Sequence, residues 1–387
     1  MEQTVKVTPI EGYDIAVCGG GIAGIAAALA AARHGKKVVL LERQYMLGGL
    51  ATAGLITIYL PLCDGCGKQV SFGIAEELLK LSIKHGAEAR YPKNWLDGEG
   101  TRTEKDLRYA VQYNAQLFAI LAEQLLLEEG VEIFYGAYAV DVIKHGDKID
   151  TLVVENKSGR QGFQVSAVVD ATGDCDIALF AGVPTETYQT GNLLAAWYYS
   201  AEDTGYTLNK LGVVGASADK AIQRFTGVEG KELSDVMVQS HQSILKHFLQ
   251  KQQTGAAQWI ATLPTVPQVR MSRKIRGEYS LAEAEVHKYF EDSIGMVSDW
   301  RKRGPVFEVP YRTLYSKCVK NLIIAGRCTS VEEDMWDIMR VIPCCAITGQ
   351  AAGTAAAMTD DFTALDVAAL QANLQKDGVI LHEKDIP

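Results

Sequence analysis

The chain has 387 residues, of which 48% are hydrophobic and 22% are charged. This length and composition allow a large buried core, most simply in two regions, and exclude disorder, collagen-like repeats and a disulfide-stapled miniprotein. The formal net charge of −9 argues against a general nucleic-acid binder, because such a protein needs a basic surface to neutralise phosphates. A small anion held by a few arginines is compatible with that charge.

The chain start and the cysteine content indicate a cytoplasmic protein. Residues 1–12 carry two glutamates and one lysine and lack the basic and apolar regions of a secretory signal. Eight cysteines in a chain of this length suit a reducing compartment better than a disulfide framework. The uncharged stretches 15–32 and 341–359 approach the length of a membrane span, but both consist mainly of small residues. We therefore expect no membrane association.

The segment after residue 12 predicts a strand, a helix and a second strand. Residues 13–18 form a short β-type run, and the alanine-rich residues 22–34 end at Gly35, which suits the position after a helix. Residues 37–41 form a second strand in which Lys37 is followed by four apolar residues without alternation, as in a buried parallel strand. Two parallel strands joined by a helix form a βαβ unit.

The next part of the chain predicts a β-meander inserted into an α/β protein. Residues 114–129 have helical spacing and stop at Gly130. The stretch 131–169 is typical of consecutive strands joined by glycine-containing turns. We expect it to return to the main sheet at residues 166–170.

A second, substrate-facing region is predicted beyond the meander. Residues 186–310 mix aromatic runs, polar loops and a helical stretch at 234–250. A short strand at 321–326, a small-residue helix at 342–358 and an amphipathic helix at 365–374 follow.

The first predicted turn carries a dinucleotide-binding motif. Gly19, Gly21 and Gly24 have the Gly-x-Gly-x-x-Gly spacing, directly after a strand and at the start of a helix. Glycine permits the sharp turn, the close approach of a pyrophosphate and the tight packing of helix on strand. Glu42 ends the next strand, about 20 residues on, where an acid that binds a ribose is expected. Together these features predict a dinucleotide site.

Other segments add to that motif, and with them the chain resembles the FAD-dependent oxidoreductases of the glutathione-reductase-like superfamily. It is most similar to the bacterial flavoproteins that share their FAD fold with fumarate reductases. The matching segments, in the right order from residue 14 to about 358, are GGGIAG, LLER, GGLATAGL, DATGD, VPYR, AGRC and RVIPCCAITGQAAGTAAA. The resemblance implies an α/β fold with a Rossmann-like FAD-binding domain, formed by residues 1–185 and 315–387, and an α+β substrate or cap domain at 186–314.

The resemblance also implies which residues contact FAD. The glycine loop and the residues after Ala171 would lie at the diphosphate, Glu42 at the adenosine ribose and the backbone of Val140 at the adenine. The helix entered near Cys345 would direct its N-terminus at the flavin O2 edge, where reduction leaves negative charge. The full set is Gly19, Gly21, Ile22, Ala23, Gly24, Glu42, Arg43, Gly48, Gly49, Leu50, Ala51, Val140, Ala171, Thr172, Gly173, Gly326, Arg327 and Cys345. No second Gly-x-Gly-x-x-Gly is present, so an inserted NAD(P)H domain is not expected.

Arginines are the main candidates for substrate contacts. Comparable arginines lie near the active site in similar proteins, so Arg270, Arg312 and Arg340, together with Tyr311, are candidate catalytic residues that would bind a carboxylate or another anion. Arg273 lies in the same segment as Arg270. The alternative is that these arginines form ordinary surface ion pairs.

The chain departs from the family pattern just before its Arg-Val pair. Members usually carry a histidine there, whereas this chain has EEDMWDIMRV. Glu333 could replace that histidine as general acid or base, or it could be a solvated loop acid.

Cysteines and histidines give weaker signals. Cys63 and Cys66 form a CDGC segment, for which a redox dithiol or a cysteinyl flavin link is an alternative to a structural role. Cys344 and Cys345 suit packing at the start of a helix. No metal is expected, because a lone cysteine pair cannot complete a tetrahedral site and His241 and His247 do not share a helical face.

These observations predict an oxidoreductase that moves a hydride between flavin N5 and a small organic substrate, with an anion as one option. The alternatives are a flavoprotein with non-redox chemistry, such as an isomerase or an RNA-modifying or sulfur-transfer protein, and an electron-transfer subunit that uses CDGC as a relay. The acidic charge weakens the RNA version. Many members of the resembled family are dimers, which leaves a homodimer open.

Overall fold

The computed structural model describes residues 4–91, 110–203, 205–212 and 222–386. At its centre is a five-stranded parallel sheet whose strands are almost wholly buried, apart from one edge. Its strands, in spatial order, are β18 (Leu322–Ile324), β10 (Ala167–Asp170), β2 (Ile15–Cys18), β3 (Val38–Glu42) and β6 (Glu132–Tyr135). The α/β class and the parallel sheet are confirmed.

Two of the described helices, Ile22–Arg33 and Ile342–Met358, pack on one face of this sheet, and the other face packs on strand residues 149–163 and on the short helix Asp176–Phe180. The predicted helix at 342–358 has those bounds, and Gly35 takes the predicted left-handed conformation with φ of 81°. The helices are α1 (Ile22–Arg33), α2 (Ile74–Ile83), α3 (Ala115–Glu128), α4 (Asp176–Phe180), α5 (Gly230–Gln253), α6 (Glu333–Met339), α7 (Ile342–Met358) and α8 (Val367–Lys376).

A four-stranded sheet contains the predicted meander. Its order is β1 (Thr8–Ile10), β9 (Gly159–Gln164), β8 (Lys148–Asn156) and β7 (Tyr138–His145), and the chain then returns to the main sheet at β10 as expected. Residues 132–135 are not part of this meander, because they pair in parallel with β3 as the edge of the main sheet. The pairing of β1 with β9 was not predicted, because it joins segments about 150 residues apart.

Two small-residue helices pack side by side at the centre of the protein. A Cβ on Gly349 would lie 2.3 Å from the carbonyl oxygen of Ala23, and one on Gly353 would lie 2.1 Å from that of Ala27. The equal offset of the two contacts (349 − 23 = 353 − 27) shows that α1 and α7 run parallel. With this offset, the first residue of α7, Ile342, is level with position 16, which is six positions before the first residue of α1, Ile22. At 1.5 Å per residue, α7 therefore begins about 9 Å before α1 along the common helix direction. Both N-termini therefore point the same way, and that of α7 reaches further.

The second region has a small core of its own. Strands β12 (Ala195–Glu202), β13 (Gly205–Gly212) and β14 (Trp259–Thr262) form a sheet covered by α5. Tyr198 and Phe248 belong to this core, and the Tyr198 hydroxyl lies 2.9 Å from Nδ1 of His247.

Three two-stranded sheets complete the described strands: β4 (Ile58–Tyr59) with β5 (Val111–Gln112), β11 (Thr185–Thr187) with β15 (Arg273–Ile275), and β16 (Ser293–Ser298) with β17 (Val306–Pro310). Ile294 and Phe307 of the last hairpin belong to the main core with α1 and α7. The predicted division had placed them in the second region.

No single helix of the described chain has the length and apolar composition needed to cross a membrane. The bent pair of α6 and α7, at 89° to each other, meets the criteria of length and composition when the two are taken together.

Candidate functional site

A cavity of about 420 Å³ opens where the strands of the parallel sheet end. Its walls include the residues that follow β2, β3, β10 and β18, so four carboxyl ends of parallel strands meet at one site. In open α/β sheets this edge is the usual place for a ligand. Further parts of the wall come from residues 48–60, 137–139 and 340–345, and from residues 227, 233 and 265–270 of the second region.

On the loop side of the cavity, which we define by Gly19, Gly21, Glu42 and Gly48, the backbone itself forms most of the wall. Gly19 has φ of 99°, and a Cβ there would lie 2.5 Å from the carbonyl oxygen of Ala171. A Cβ on Gly21 would meet no atom within 4 Å, although Gly21 lines the cavity. The loop therefore leaves an open space beside its backbone and the N-terminus of α1, as a diphosphate requires.

Gly24 has a different role from its neighbours in the motif. A Cβ on this residue would lie 1.8 Å from the carbonyl oxygen of Gly19, and the residue is not part of the cavity wall. Its lack of a side chain allows α1 to pack against the turn.

Glu42 links the end of β3 to the glycine loop. Its Oε2 accepts a hydrogen bond from the Gly20 amide at 2.6 Å, and its Oε1 accepts one from the Gln44 amide at 2.7 Å. Burial raises the pKa of Glu42 above its usual value, while the two amides act in the opposite direction. A carboxylate has about four lone-pair sites, so these two bonds leave acceptors free for ribose hydroxyls.

The start of α7 contributes the far wall. Val341, Ile342 and Cys345 line the cavity, and the first turn of α7 contains no acidic residue. Burial raises the pKa of the Cys345 thiol to about 12, so this side chain is neutral at pH 7. The positive end of the α7 dipole therefore faces the cavity without a cancelling charge on its own first turn.

Arg327 is held by the loop after β10. Its Nη2 forms an ion pair with Asp174 Oδ1 at 3.0 Å, and its Nη1 donates to the Val269 carbonyl at 3.2 Å. A Cβ on Gly173 would lie 2.6 Å from Arg327 Nε, so the glycine of DATGD makes room for this side chain. Arg327 thus joins the predicted cofactor loops to the segment that leads to Arg270.

On the arginine side of the cavity, which we define by Arg270, Arg340 and the start of α7, two guanidinium groups contribute to the wall. Arg340 is neutralised by Asp337, whose Oδ1 accepts from its Nε at 2.9 Å and also from its Nη2. The Nε and Nη2 atoms of Arg270 are buried and have no hydrogen-bond partner among the described residues. Burial, reinforced by the charge of Arg340, lowers the pKa of Arg270 to about 10, so it remains a cation at pH 7.

Four predicted site residues besides Gly24 lie outside the cavity wall. Arg312 forms an exposed ion pair with Asp292 at 2.9 Å, and the buried Tyr311 hydroxyl donates to the Phe362 carbonyl at 3.0 Å. Glu333 accepts hydrogen bonds from the amide and hydroxyl of Thr190. The structure therefore gives all three a structural partner instead of a place at the cavity.

Val140 is the fourth of these residues. The residues of this segment that form the wall are Ala137, Tyr138 and Ala139, immediately before it. The register of β7 with β8 shifts between Ala139 and Asp141, so Val140 lies between the paired residues, and its backbone contact with adenine stays a prediction.

The CDGC segment is also absent from the cavity wall. Cys63 is buried, and its carbonyl accepts from the Ser298 hydroxyl at 3.2 Å, whereas Cys66 is exposed. Arg303 Nε donates to the Gly65 carbonyl at 2.7 Å, so this loop packs on residues 298–304. Among the described residues no group of three or more His, Cys, Asp or Glu side chains could hold a metal ion.

Sequence reasoning missed the apolar part of the wall. Single apolar residues in a loop, a two-residue strand, a helix and an irregular segment carry no motif, and only the fold brings them together. They include Ile56, Ile58, Leu60, Leu233, Val266, Pro267 and Val269.

Parts of the chain are similar to two reductases. The chain is 33% identical to the thioredoxin reductase of Ureaplasma parvum over 73 residues, which are 19% of this chain and 24% of that protein. It is 35% identical to the vinyl phenol reductase of Lactiplantibacillus plantarum over 108 residues, which are 27% of this chain and 21% of that protein. The chain thus matches less than a quarter of the length of either relative.

Solved structures also align over most of the chain. A geranylgeranyl bacteriochlorophyll reductase-like protein from Thermoplasma acidophilum is 14% identical, covers 96% of this chain and 83% of its own, and has a TM-score of 0.46. The anhydrotetracycline hydroxylase OxyS from Streptomyces rimosus is 13% identical, covers 94% of this chain and 65% of its own, and has a TM-score of 0.48. A sequence model of the family described as FAD dependent oxidoreductase matches residues 14–196 and 186–374.

Proposed function

The chain belongs to the FAD dependent oxidoreductase family, and from this premise we propose that it transfers a hydride between flavin N5 and a small organic substrate bound in the cavity. FAD is its cofactor, and the protein is an FAD-dependent oxidoreductase. The observation that supports the proposal is that one cavity is lined by both Gly21 and Cys345. The dinucleotide loop and the start of α7, which the proposal assigns to the flavin, thus line the same cavity.

The residues present fit FAD. The open space at Gly21 accepts a diphosphate, and Glu42 keeps free acceptors for a ribose. Gly48 donates its amide to the Gly20 carbonyl at 2.7 Å, which places the second glycine pair beside the first. The roughly 9 Å by which α7 extends beyond α1 separates the two helix N-termini along the cavity, so one can face the diphosphate and the other the flavin.

Bound FAD would supply a centre that accepts or donates a hydride. The first turn of α7 would stabilise the negative charge that flavin reduction leaves at N1 and O2. Oxidation of a donor would remove a hydride from a substrate carbon and release one proton from an adjacent atom, and reduction of an acceptor would reverse both steps. The apolar wall around Ile56, Ile58 and Val266 would exclude water from the reacting atoms.

The substrate would enter beside the second region. Thr265, Pro267 and Arg270 line the cavity there, and Arg270 and Arg340 are the cationic groups of the arginine side. Because the sequence has no second dinucleotide loop, the second half-reaction would use the same pocket or an external partner.

Anaerobic flavin spectroscopy tests this function. Holoenzyme is mixed in turn with hydroxy acids, sugars and NAD(P)H, and photoreduced holoenzyme is mixed with enoates. We expect at least one class to bleach the oxidised flavin or to restore the colour of the reduced flavin. No change in either direction with any class would contradict hydride exchange with small molecules.

A further inference from the structure

We propose that the substrate is a monocarboxylate with an apolar body and that Arg270 binds its carboxylate. The inference rests on the proposed function for the cavity, and it adds the chemical class of the substrate. It depends on three features of the arginine side: an unpaired guanidinium edge, the absence of a second free cation among the described residues there, and an apolar wall.

The unpaired edge of Arg270 has the shape that a carboxylate fits. Nε and Nη2 lie on the same side of a guanidinium, and their two N–H groups point in parallel at the spacing of two carboxylate oxygens. These are the two Arg270 atoms that have no partner among the described residues. Leaving buried charged donors unpaired costs free energy, which a ligand carboxylate would recover. Both atoms are closed to solvent, so binding requires a rotation of the guanidinium that turns this edge into the cavity that Arg270 lines.

The surroundings position Arg270 without neutralising it. Its guanidinium carbon lies 5.0 Å from the centre of the Trp197 ring, a contact that retains the positive charge. Its backbone amide donates to Asn192 Oδ1 at 3.2 Å, and the Met271 amide donates to the same oxygen at 3.1 Å. Asn192 in turn donates to the Phe225 carbonyl at 3.1 Å. A cation thus lies at the cavity, and no anion of the described residues is bonded to its Nε–Nη2 edge.

Among the residues that the structure describes, the arginine side of the cavity has one unpaired cation, so it can neutralise one carboxylate of a substrate. Arg340 is already paired with Asp337, and Arg327 with Asp174. Of the three described arginines next to the start of α7 and residue 270, Arg270 alone lacks an anion partner. A second carboxylate on the substrate would therefore have to displace a protein carboxylate or remain unpaired among apolar groups.

The rest of the substrate would contact apolar side chains. Gln268 Nε2 donates to the Gly54 carbonyl at 2.7 Å, and the Thr265 amide donates to the Ala53 carbonyl at 2.9 Å. These bonds join the Arg270 segment to the loop that leads to Ile56 and Ile58, which line the cavity with Val266 and Pro267. An alkyl or aryl group next to the carboxylate would bury its surface there.

Equilibrium binding to oxidised holoenzyme tests the inference without turnover. The probes are hexanoate, its neutral analogue hexanamide and the dicarboxylate adipate, measured by titration calorimetry. We expect hexanoate to bind more tightly than both other probes. Arg270→Gln should weaken hexanoate binding by about 30-fold or more, because a bidentate charge-assisted contact is lost. Arg270→Lys should weaken it less, since the charge remains but the paired donors do not.

Arg276→Gln is the matched control, because Arg276 lies in the same segment but pairs with Glu186 outside the cavity wall. It should leave hexanoate affinity unchanged. Flavin content and the unfolding temperature of each variant establish that it is folded. Equal affinity for hexanoate and hexanamide, no effect of Arg270→Gln in folded protein, or tighter binding of adipate than of hexanoate would overturn the inference. The outcome is separate from that of the flavin experiment. Hydride exchange with neutral substrates alone would refute the carboxylate, whereas hexanoate binding combined with no flavin redox change for any class of compound in the anaerobic screen would refute the function.

Discussion

The two sides of the cavity are built from different parts of the chain. On the loop side the wall is backbone, shaped by Gly19, Gly21 and Gly48 within 30 residues of each other. On the arginine side the wall is made of side chains such as Arg270, Arg340 and Ile56, which come from three distant segments. In the proposed function the backbone of the loop side would thus hold FAD, whereas the substrate would contact side chains that can be exchanged one at a time.

Gly21→Val should cause the largest loss of affinity among these variants, and the loss should concern FAD, which the loop side would bind. The backbone of Gly21, with φ of −70° and ψ of −178°, accepts any residue, and a Cβ there meets no protein atom, so the apoprotein should fold normally. The new side chain would project into the space assigned to the diphosphate and weaken FAD binding by about 100-fold or more. Calorimetric titration of apoprotein with FAD measures this. Gly230→Val, also in open space, is the control, and a variant that retains full FAD affinity would contradict the placement.

Glu42→Gln should have a smaller effect on the same side. A glutamine has one carbonyl oxygen, so it can replace one of the two acceptors that bind the Gly20 and Gln44 amides. We expect FAD affinity to fall by about 10-fold, the cost of one buried hydrogen bond. Glu128→Gln, at an exposed site on α3, should leave the same titration unchanged. Unaltered FAD affinity in the Glu42 variant would exclude a ribose contact.

Asp337→Asn sharpens the prediction for the arginine side. Removing this carboxylate frees the guanidinium of Arg340, which then offers a second cation to a ligand. Adipate affinity should rise by about 5-fold, a typical gain from one partly exposed charge pair, while hexanoate affinity changes less. Asp334→Asn, on an exposed position of α6, is the control. The one-carboxylate assignment would be wrong if adipate affinity fell or stayed constant.

Cys63→Ser/Cys66→Ser should have the smallest effect of the set. Neither thiol lines the cavity, and the CDGC loop packs on residues 298–304. The rate of anaerobic flavin reduction by any donor that the screen identifies should therefore equal that of the parent protein. A slower rate of flavin reduction in the folded variant would support the hypothesis that CDGC relays electrons.

Much of the loop side could be predicted from the sequence because its constraints are local. The turn at Gly19–Gly24, the acid at Glu42 and the bounds of α7 each follow from spacing within one or two elements. Backbone strain and helix periodicity act over a few residues, so a linear pattern records them.

The arginine side and the strand pairing could not be predicted in the same way. The sequence around Arg312 does not predict its ion pair with Asp292, and the sequence around Glu333 does not predict its hydrogen bond from Thr190. The pairing of β1 with β9 likewise depends on segments about 150 residues apart. Which arginine keeps an unpaired edge is decided by tertiary contacts, so only the structure separates Arg270 from Arg312.

The most direct measurement is a spectrophotometric titration of oxidised holoenzyme with hexanoate. If Arg270 and the start of α7 face one space, the bound carboxylate changes the flavin environment. The flavin bands should then shift with the same dissociation constant that calorimetry gives, and Arg270→Gln should abolish the shift at the same hexanoate concentrations. Calorimetric binding of hexanoate with no change in the flavin spectrum would place carboxylate and cofactor in separate sites and contradict the account.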